Sequence, residues 1–338
     1  LSIRQENAMR PSLRPFHFIA VGLVFLASTL TAGRAAAEVR VGYSDWPGWV
    51  AWAIAEQQGF FRKHGASVKL VWFPNYTDSI AALSSGQLDA NCQTWSDTMA
   101  PLAQGVPLKV VLVNDNSAGN DAILARPGVK SLKDLKGRAV ALEEFSISHF
   151  LLVTGLATAG MKPSDVRIVN MSAGDAAAAF ISGRVDAATV WNPWVSKIEH
   201  SGRGRALFTS REIPGLVPDL LVAREKSLAA HRKDFVGMVK AWYDVERFIR
   251  EKPDEAVRIM ARVVELAPDE YKVFLPGTRF FGARENLAAF GADASSPRTL
   301  MGAAPVILKF LQDNKLIEGR PDFARALDAS LVKEAAPR

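Results

Sequence analysis

Cysteine is almost missing: Cys92 is the single thiol in 338 residues. That excludes an intrachain disulfide, a Cys-rich metal site and a dithiol redox pair, and leaves a buried structural role as the expectation for Cys92. The chain also has no His-Glu-x-x-His zinc helix, no Gly-x-Ser-x-Gly elbow and no phosphate-binding Gly-rich loop. Without these the common hydrolytic, metal and nucleotide chemistries lack their residues, so no enzymatic activity, cofactor or metal is expected. Basic residues are not gathered into a stripe. They are interspersed with Asp and Glu, and half of the formal charge of +6 comes from the first 37 residues, where four arginines face one glutamate. A nucleic-acid footprint therefore has little support.

Long apolar runs are missing too, except near the start. Arg10 and Arg14 precede an apolar run from Phe16 to Leu30, and the small residues Ala35, Ala36 and Ala37 follow before Glu38. This is the pattern of a secretory signal, with translation starting at Met9, cleavage after Ala37 and a periplasmic destination. The run is shorter than the roughly 20 residues a membrane-spanning helix needs. With no cysteine at the cleavage point, neither a spanning helix nor a lipid anchor is expected.

What the chain does have is length, 49% hydrophobic residues and an internal repeat. The length suggests two domains. Ser85-Gly86-Gln87-Leu88-Asp89-Ala90 recurs as Ser182-Gly183-Arg184-Val185-Asp186-Ala187, an offset of 97 residues. Asp121-Ala122-Ile123-Leu124-Ala125-Arg126 recurs as Asp219-Leu220-Leu221-Val222-Ala223-Arg224, an offset of 98. Short apolar runs alternate with amphipathic stretches in a β-α-β-α-β order from Val39 to Gln93, and again from Ala139 to Val190.

The pattern predicts an α/β protein of two lobes, each a mainly parallel sheet flanked by helices, joined by a two-strand hinge. Residues 38–122 with 222–338 form the first lobe and 123–221 the second, the two Asp-to-Arg segments serving as hinge strands. The remainder is helical and packs on the first lobe, with Pro253 and Pro268 at helix starts. Ligands on such sheets lie beyond the carboxyl ends of the strands.

Several of these residues carry a resemblance. The opening Val39-Arg-Val-Gly-Tyr-Ser-Asp-Trp-Pro-Gly-Trp, Ala55-Glu-Gln-Gln-Gly59-Phe60-Phe61, the turn at Ser85 and Leu132-Lys-Asp-Leu-Lys-Gly137-Arg-Ala-Val resemble the nitrate/sulfonate/taurine (NMT1/THI5-like) class of periplasmic binding proteins. The resemblance implies a hinge-closing receptor, of two-lobed type II fold, for an importer made of a membrane permease and an ATPase. Gly119-Asn120-Asp121-Ala122-Ile123, Ser146-Ile-Ser148-His149-Phe150-Leu and Trp191-Asn192-Pro193-Trp194 are similar to a urea or amide branch of that class. Where sulfonate and nitrate binders present a small Ser/Thr-rich loop, this chain has Glu143-Glu144-Phe145. A sensory receptor built on the same fold, reporting to a membrane protein, is the alternative class. A monomer is expected.

The loops after the strands are aromatic and acidic: Asp45, Trp46 and Trp49, then Tyr76, then Trp95 and Asp97, then Glu143, Glu144 and Ser146, then Trp191 and Asn192, with Asp121 and Asp219 at the hinge. No Lys or Arg is among them. Helix N-terminal amides alone can hold an anion, but nearby carboxylates oppose it. A cation over an indole gains roughly 0.5–2 kcal/mol and a carboxylate adds a charge-assisted hydrogen bond. The expected ligand is therefore a small nitrogen compound such as urea, guanidine or an amine, with taurine, an alkanesulfonate, nitrate or bicarbonate as the alternative. Asp45 with Trp46 and an opposing Glu144 are the leading candidates, and Trp95 and Trp191 are expected to sandwich a flat group. Asp97, Asp175 and Asn192 have the positions of helix caps, Trp52 has core spacing, and His149 is expected to be structural.

Overall fold

The computed structural model describes residues 38–337, so the signal segment expected in 1–37 lies outside the described residues. The strands are Val39–Tyr43 (β1), Val68–Trp72 (β2), Ala90–Thr94 (β3), Leu108–Ser117 (β4), Asp121–Ala125 (β5), Ala139–Leu142 (β6), Arg167–Asn170 (β7), Ala187–Trp191 (β8), Arg205–Thr209 (β9), Pro218–Arg224 (β10) and Thr278–Phe280 (β11). They form two sheets, ordered β11-β4-β10-β3-β1-β2 and β7-β6-β8-β5-β9.

The repeat is visible in the pairings. In each sheet three strands run parallel, β2-β1-β3 and β7-β6-β8. The strand carrying the Asp-to-Arg segment then pairs antiparallel with the third of them, Asp219 opposite Thr94 in one lobe and Asp121 opposite Trp191 in the other. The sheets are thus mixed rather than mainly parallel. The cause is that β5 and β10 each enter the sheet of the lobe the chain has just joined.

The Asp-to-Arg segments are accordingly not a hinge ribbon. β5 lies wholly in the second sheet and β10 wholly in the first, so the chain crosses between lobes at residues 118–120 and 210–217. The lobe limits move by a few residues from those expected.

Every residue of β3, β5, β6 and β8 is buried, as strands covered by helices on both faces require. The C-terminal part packs on the first lobe, where the helix Arg232–Glu251 buries a face that includes Phe235, Trp242 and Phe248. Trp52 is fully buried against Phe61 and Trp242, and Cys92 is buried in β3. No helix among the described residues is long and apolar enough to cross a membrane.

Candidate functional site

The carboxyl ends of both parallel sets face one another, and three carboxylates bridge the gap between lobes. Asp45, just past β1, accepts hydrogen bonds from the indoles of Trp191 and Trp194, both at 2.7 Å. Glu143, just past β6, accepts from the backbone N–H of Thr77 at 2.8 Å and its hydroxyl at 2.7 Å. Asp97 accepts from the N–H of Ile147 at 3.0 Å and from the Tyr76 hydroxyl at 2.9 Å.

Two of these bridges have the same logic. Thr77 is in the first turn of the helix Tyr76–Ser85, and Ile147 opens the helix Ile147–Thr158. A helix start presents unsatisfied N–H groups and a partial positive charge. Each is here filled by an acid from the opposite lobe, so the two helix ends that an oxyanion would use are already occupied. The lobes stand closed on each other through these contacts.

Behind the bridges lies a small enclosed cavity of ≈ 10 Å³, lined by Trp46, Trp49, Tyr76, Thr94, Asp121, Ile147, Trp191, Val217 and Asp219. That is about the space of one water molecule. A larger depression of ≈ 630 Å³ at the mouth is lined by Asp45, Trp72, Trp194 and Glu270 among others. The rings wall the inner space closely: Trp49 lies 5.0 Å from Tyr76 between centroids, and Trp191 meets the edge of Tyr76 at 5.8 Å from across the cleft.

Asp121 and Asp219 each keep one buried carboxylate oxygen with no partner, and the Trp49 indole N–H is likewise unpartnered. A third acid, Asp115 of β4, is the register partner of Asp219. It also accepts from the Trp46 indole at 3.1 Å. Gly48 makes this possible, since a Cβ there would lie 1.8 Å from the Asp115 carboxylate. Burying such a group unpaired disfavours its charged form. Burial pushes Asp121 up to about 7 and Asp45 and Asp97 up to about 6. Asp115 and Asp219, buried side by side, are also driven up, by desolvation first and by mutual repulsion for Asp219.

Several expected residues are placed elsewhere. Trp95 is fully buried, donates to the Leu300 carbonyl at 3.1 Å and packs on Phe323, so no sandwich with Trp191 forms. The 97-residue offset in fact aligns Trp191 with Thr94, which does line the cavity. Glu144 has its N–H on Asn170 and makes no side-chain hydrogen bond to the first lobe among the described residues; its neighbour Glu143 crosses instead.

Ser146 caps its own helix by accepting from the Ser148 N–H, and Asn192 accepts from the Ser196 N–H and donates to Asn120. Asp97 does cap a helix, but that of the other lobe, while Asp175 pairs with the Ser172 cap of its own. His149 accepts from the Phe145 N–H, and burial lowers it to about 4, so it is neutral. Asp115 was not among the ligand candidates. The polar run Asn114 to Ser117 ending an apolar strand was the available signal for it.

Two α/β lobes with paired crossovers and an aromatic, acidic cavity between their strand tips define a solute-binding protein of the hinge-closing kind. The chain belongs to the NMT1/THI5-like family, whose model matches residues 46–256. A binding protein of Brucella abortus is 30% identical over 260 residues, covering 75% of this chain and 79% of that one. The taurine-binding periplasmic protein of Escherichia coli is 27% identical over 213 residues, covering 62% and 65%. Among solved structures, the alkanesulfonate-binding protein of Xanthomonas axonopodis pv. citri bound to MOPS has a TM-score of 0.73 at 20% identity, covering 87% of this chain and 100% of that one.

Replacing Asp45 by Ala removes both indole acceptors and should release one of the three bridges. The expected result is about a tenfold loss of ligand affinity, roughly 1.4 kcal/mol, with a change in tryptophan emission from Trp191 and Trp194. Titration of the variant by fluorescence checks it; unchanged affinity and emission would show that the Asp45 bridge does not hold the lobes together.

Proposed function

We propose that this chain is the periplasmic solute-binding component of an ABC importer and that its ligand is a small cationic nitrogen compound, of which guanidinium and short amines are the simplest. The observation that carries the reading is the inner cavity: Asp121 and Asp219 present unpartnered buried oxygens beside Trp46, Trp49, Tyr76 and Trp191, and no Lys or Arg lines it. Among the described residues no group of three or more His, Cys, Asp or Glu has the arrangement to hold a metal ion, which favours an organic cation.

The chemistry follows from charge and shape. A planar cation donates to the free oxygens of Asp121 and Asp219 while its faces rest on indole and phenol rings. A sulfonate or nitrate would meet the same acids and find the helix ends of Tyr76–Ser85 and Ile147–Thr158 already filled by Glu143 and Asp97. As the lobes stand the cavity has room for about one water, so a guest of a few heavy atoms is held only where the lobes close less tightly around it, and anything larger is excluded. A ligand touching both lobes favours the closed state by its differential affinity, and that shape is what the permease and ATPase would read.

A thermal-shift panel tests this, with guanidinium at millimolar concentration, methylamine, urea, taurine, alkanesulfonates, nitrate and bicarbonate. Guanidinium or methylamine is expected to raise the melting temperature, a ligand at 100 times its Kd adding about 2.7 kcal/mol. Stabilisation by sulfonates or nitrate alone would overturn the cationic reading.

A further inference from the structure

On the side of the molecule where the chain passes between lobes there is a second cavity, of ≈ 550 Å³. Its lining includes Asn116, Ser117 and Ala118 at the first crossing, and Ser210, Pro214 and Pro218 at the second. Four arginines open onto it: Arg211 from the second crossing, and Arg279, Arg284 and Arg298 from the C-terminal part of the first lobe.

The charges are unbalanced. Glu285 is the single acid in the lining and is ion-paired with Arg284 at 3.2 Å. Arg211, Arg279 and Arg298 have no carboxylate partner among the described residues. Arg211 is held in place all the same. Its Nε donates to the Ala118 carbonyl at 2.9 Å and its guanidinium lies against Gly119, where a Cβ would come within 2.5 Å of Nε. The terminal nitrogens of that fork make no hydrogen bond among the described residues. Arg279 lies over the Phe281 ring at 5.6 Å.

Like charges gathered around one concavity repel, and guanidinium forks match carboxylate and phosphate oxygens two at a time. Val113 and Phe281 add apolar lining, and the volume falls in the range of organic ligand sites, about 300–1,000 Å³. We propose that this cavity is a second binding site, distinct from the cleft, for a small organic polyanion of carboxylate or phosphate type. Because its walls include both chain crossings, an anion there ties the hinge to the first lobe and is coupled to closure, and the coupling is reciprocal. Nothing in this depends on the cleft ligand being a cation.

The test uses citrate and phenyl phosphate as probes, with sodium chloride and sulfate at matched ionic strength, read by thermal shift and calorimetry on the purified chain. One or both probes should raise the melting temperature by about 2 °C or more beyond the salt controls. An Arg211→Ala/Arg298→Ala variant should need at least about fivefold more probe for the same shift, while Arg62→Ala/Arg258→Ala, at arginines outside the cavity lining, should not. A shift that follows ionic strength alone, one that survives loss of Arg211 and Arg298, or no response to either probe would each overturn the site.

Discussion

Asp219→Asn is expected to weaken guanidinium binding by about ten- to a hundredfold, the roughly 1.5–3 kcal/mol of a hydrogen bond to a charged group, while leaving the empty protein's melting temperature within about 2 °C. The split arises from where the charge comes from. In the empty protein Asp219 is buried beside Asp115 and its pKa is driven up, which favours the neutral carboxyl, and an amide of the same shape replaces that form at little cost. When a cation occupies the cavity the ionised form is the one that binds, and Asn cannot supply it. Calorimetry of the variant with guanidinium, alongside a melting curve, reads both halves. Full retention of affinity would remove Asp219 from the site; a collapse of the fold would show that its negative charge is a structural requirement.

Proton release is the second large effect. A carboxyl whose pKa is higher in the folded, empty protein than in the unfolded chain keeps a proton that the unfolded chain has lost, so stability falls as pH rises through the interval between the two values. For Asp45 and Asp97 that interval runs from the ordinary 3.8 to about 6, for Asp121 to about 7, and Asp115 and Asp219 move in the same direction. The empty protein should therefore melt at a lower temperature at pH 8 than at pH 5. A cation in the cavity reverses the preference for the protonated form, so binding expels protons and affinity should climb by about tenfold between pH 6 and pH 8, one decade per pH unit being the limit for one proton. Calorimetry in buffers of differing ionisation enthalpy counts those protons. Affinity flat across that range, with no proton uptake or loss, would show that the buried acids do not face the ligand.

These two results would also say which features of the site could be read from residues alone. Asp121 and Asp219 were marked by their doubled place in the repeat, and the register confirms that each faces the last residue of the third parallel strand, Trp191 or Thr94. Trp95 was a one-residue error of the kind strands make severe: the residue at the strand end faces the cleft and the next begins a helix that turns its ring into the core. Glu143 and Glu144 differ in the same way. Asp115 was passed over because it lies within a long strand rather than in a loop after one. Its carboxylate reaches the site through the antiparallel pairing of β4 with β10 and the space that Gly48 leaves.

Hydrophobic periodicity and the repeated segments were enough to determine two α/β lobes, their order along the chain and the aromatic and acidic character of the loops after the strands. Those properties are local, being written in spacing and residue type within stretches of about a dozen residues. Tertiary structure alone decided which acids meet which partners. Asp45 with Trp191, Asp97 with Ile147 and Asp115 with Asp219 are each joined across 50 residues or more of sequence. Such pairings depend on how one folded lobe closes on the other, and on burial that only a packed interface creates, so no local pattern encodes them.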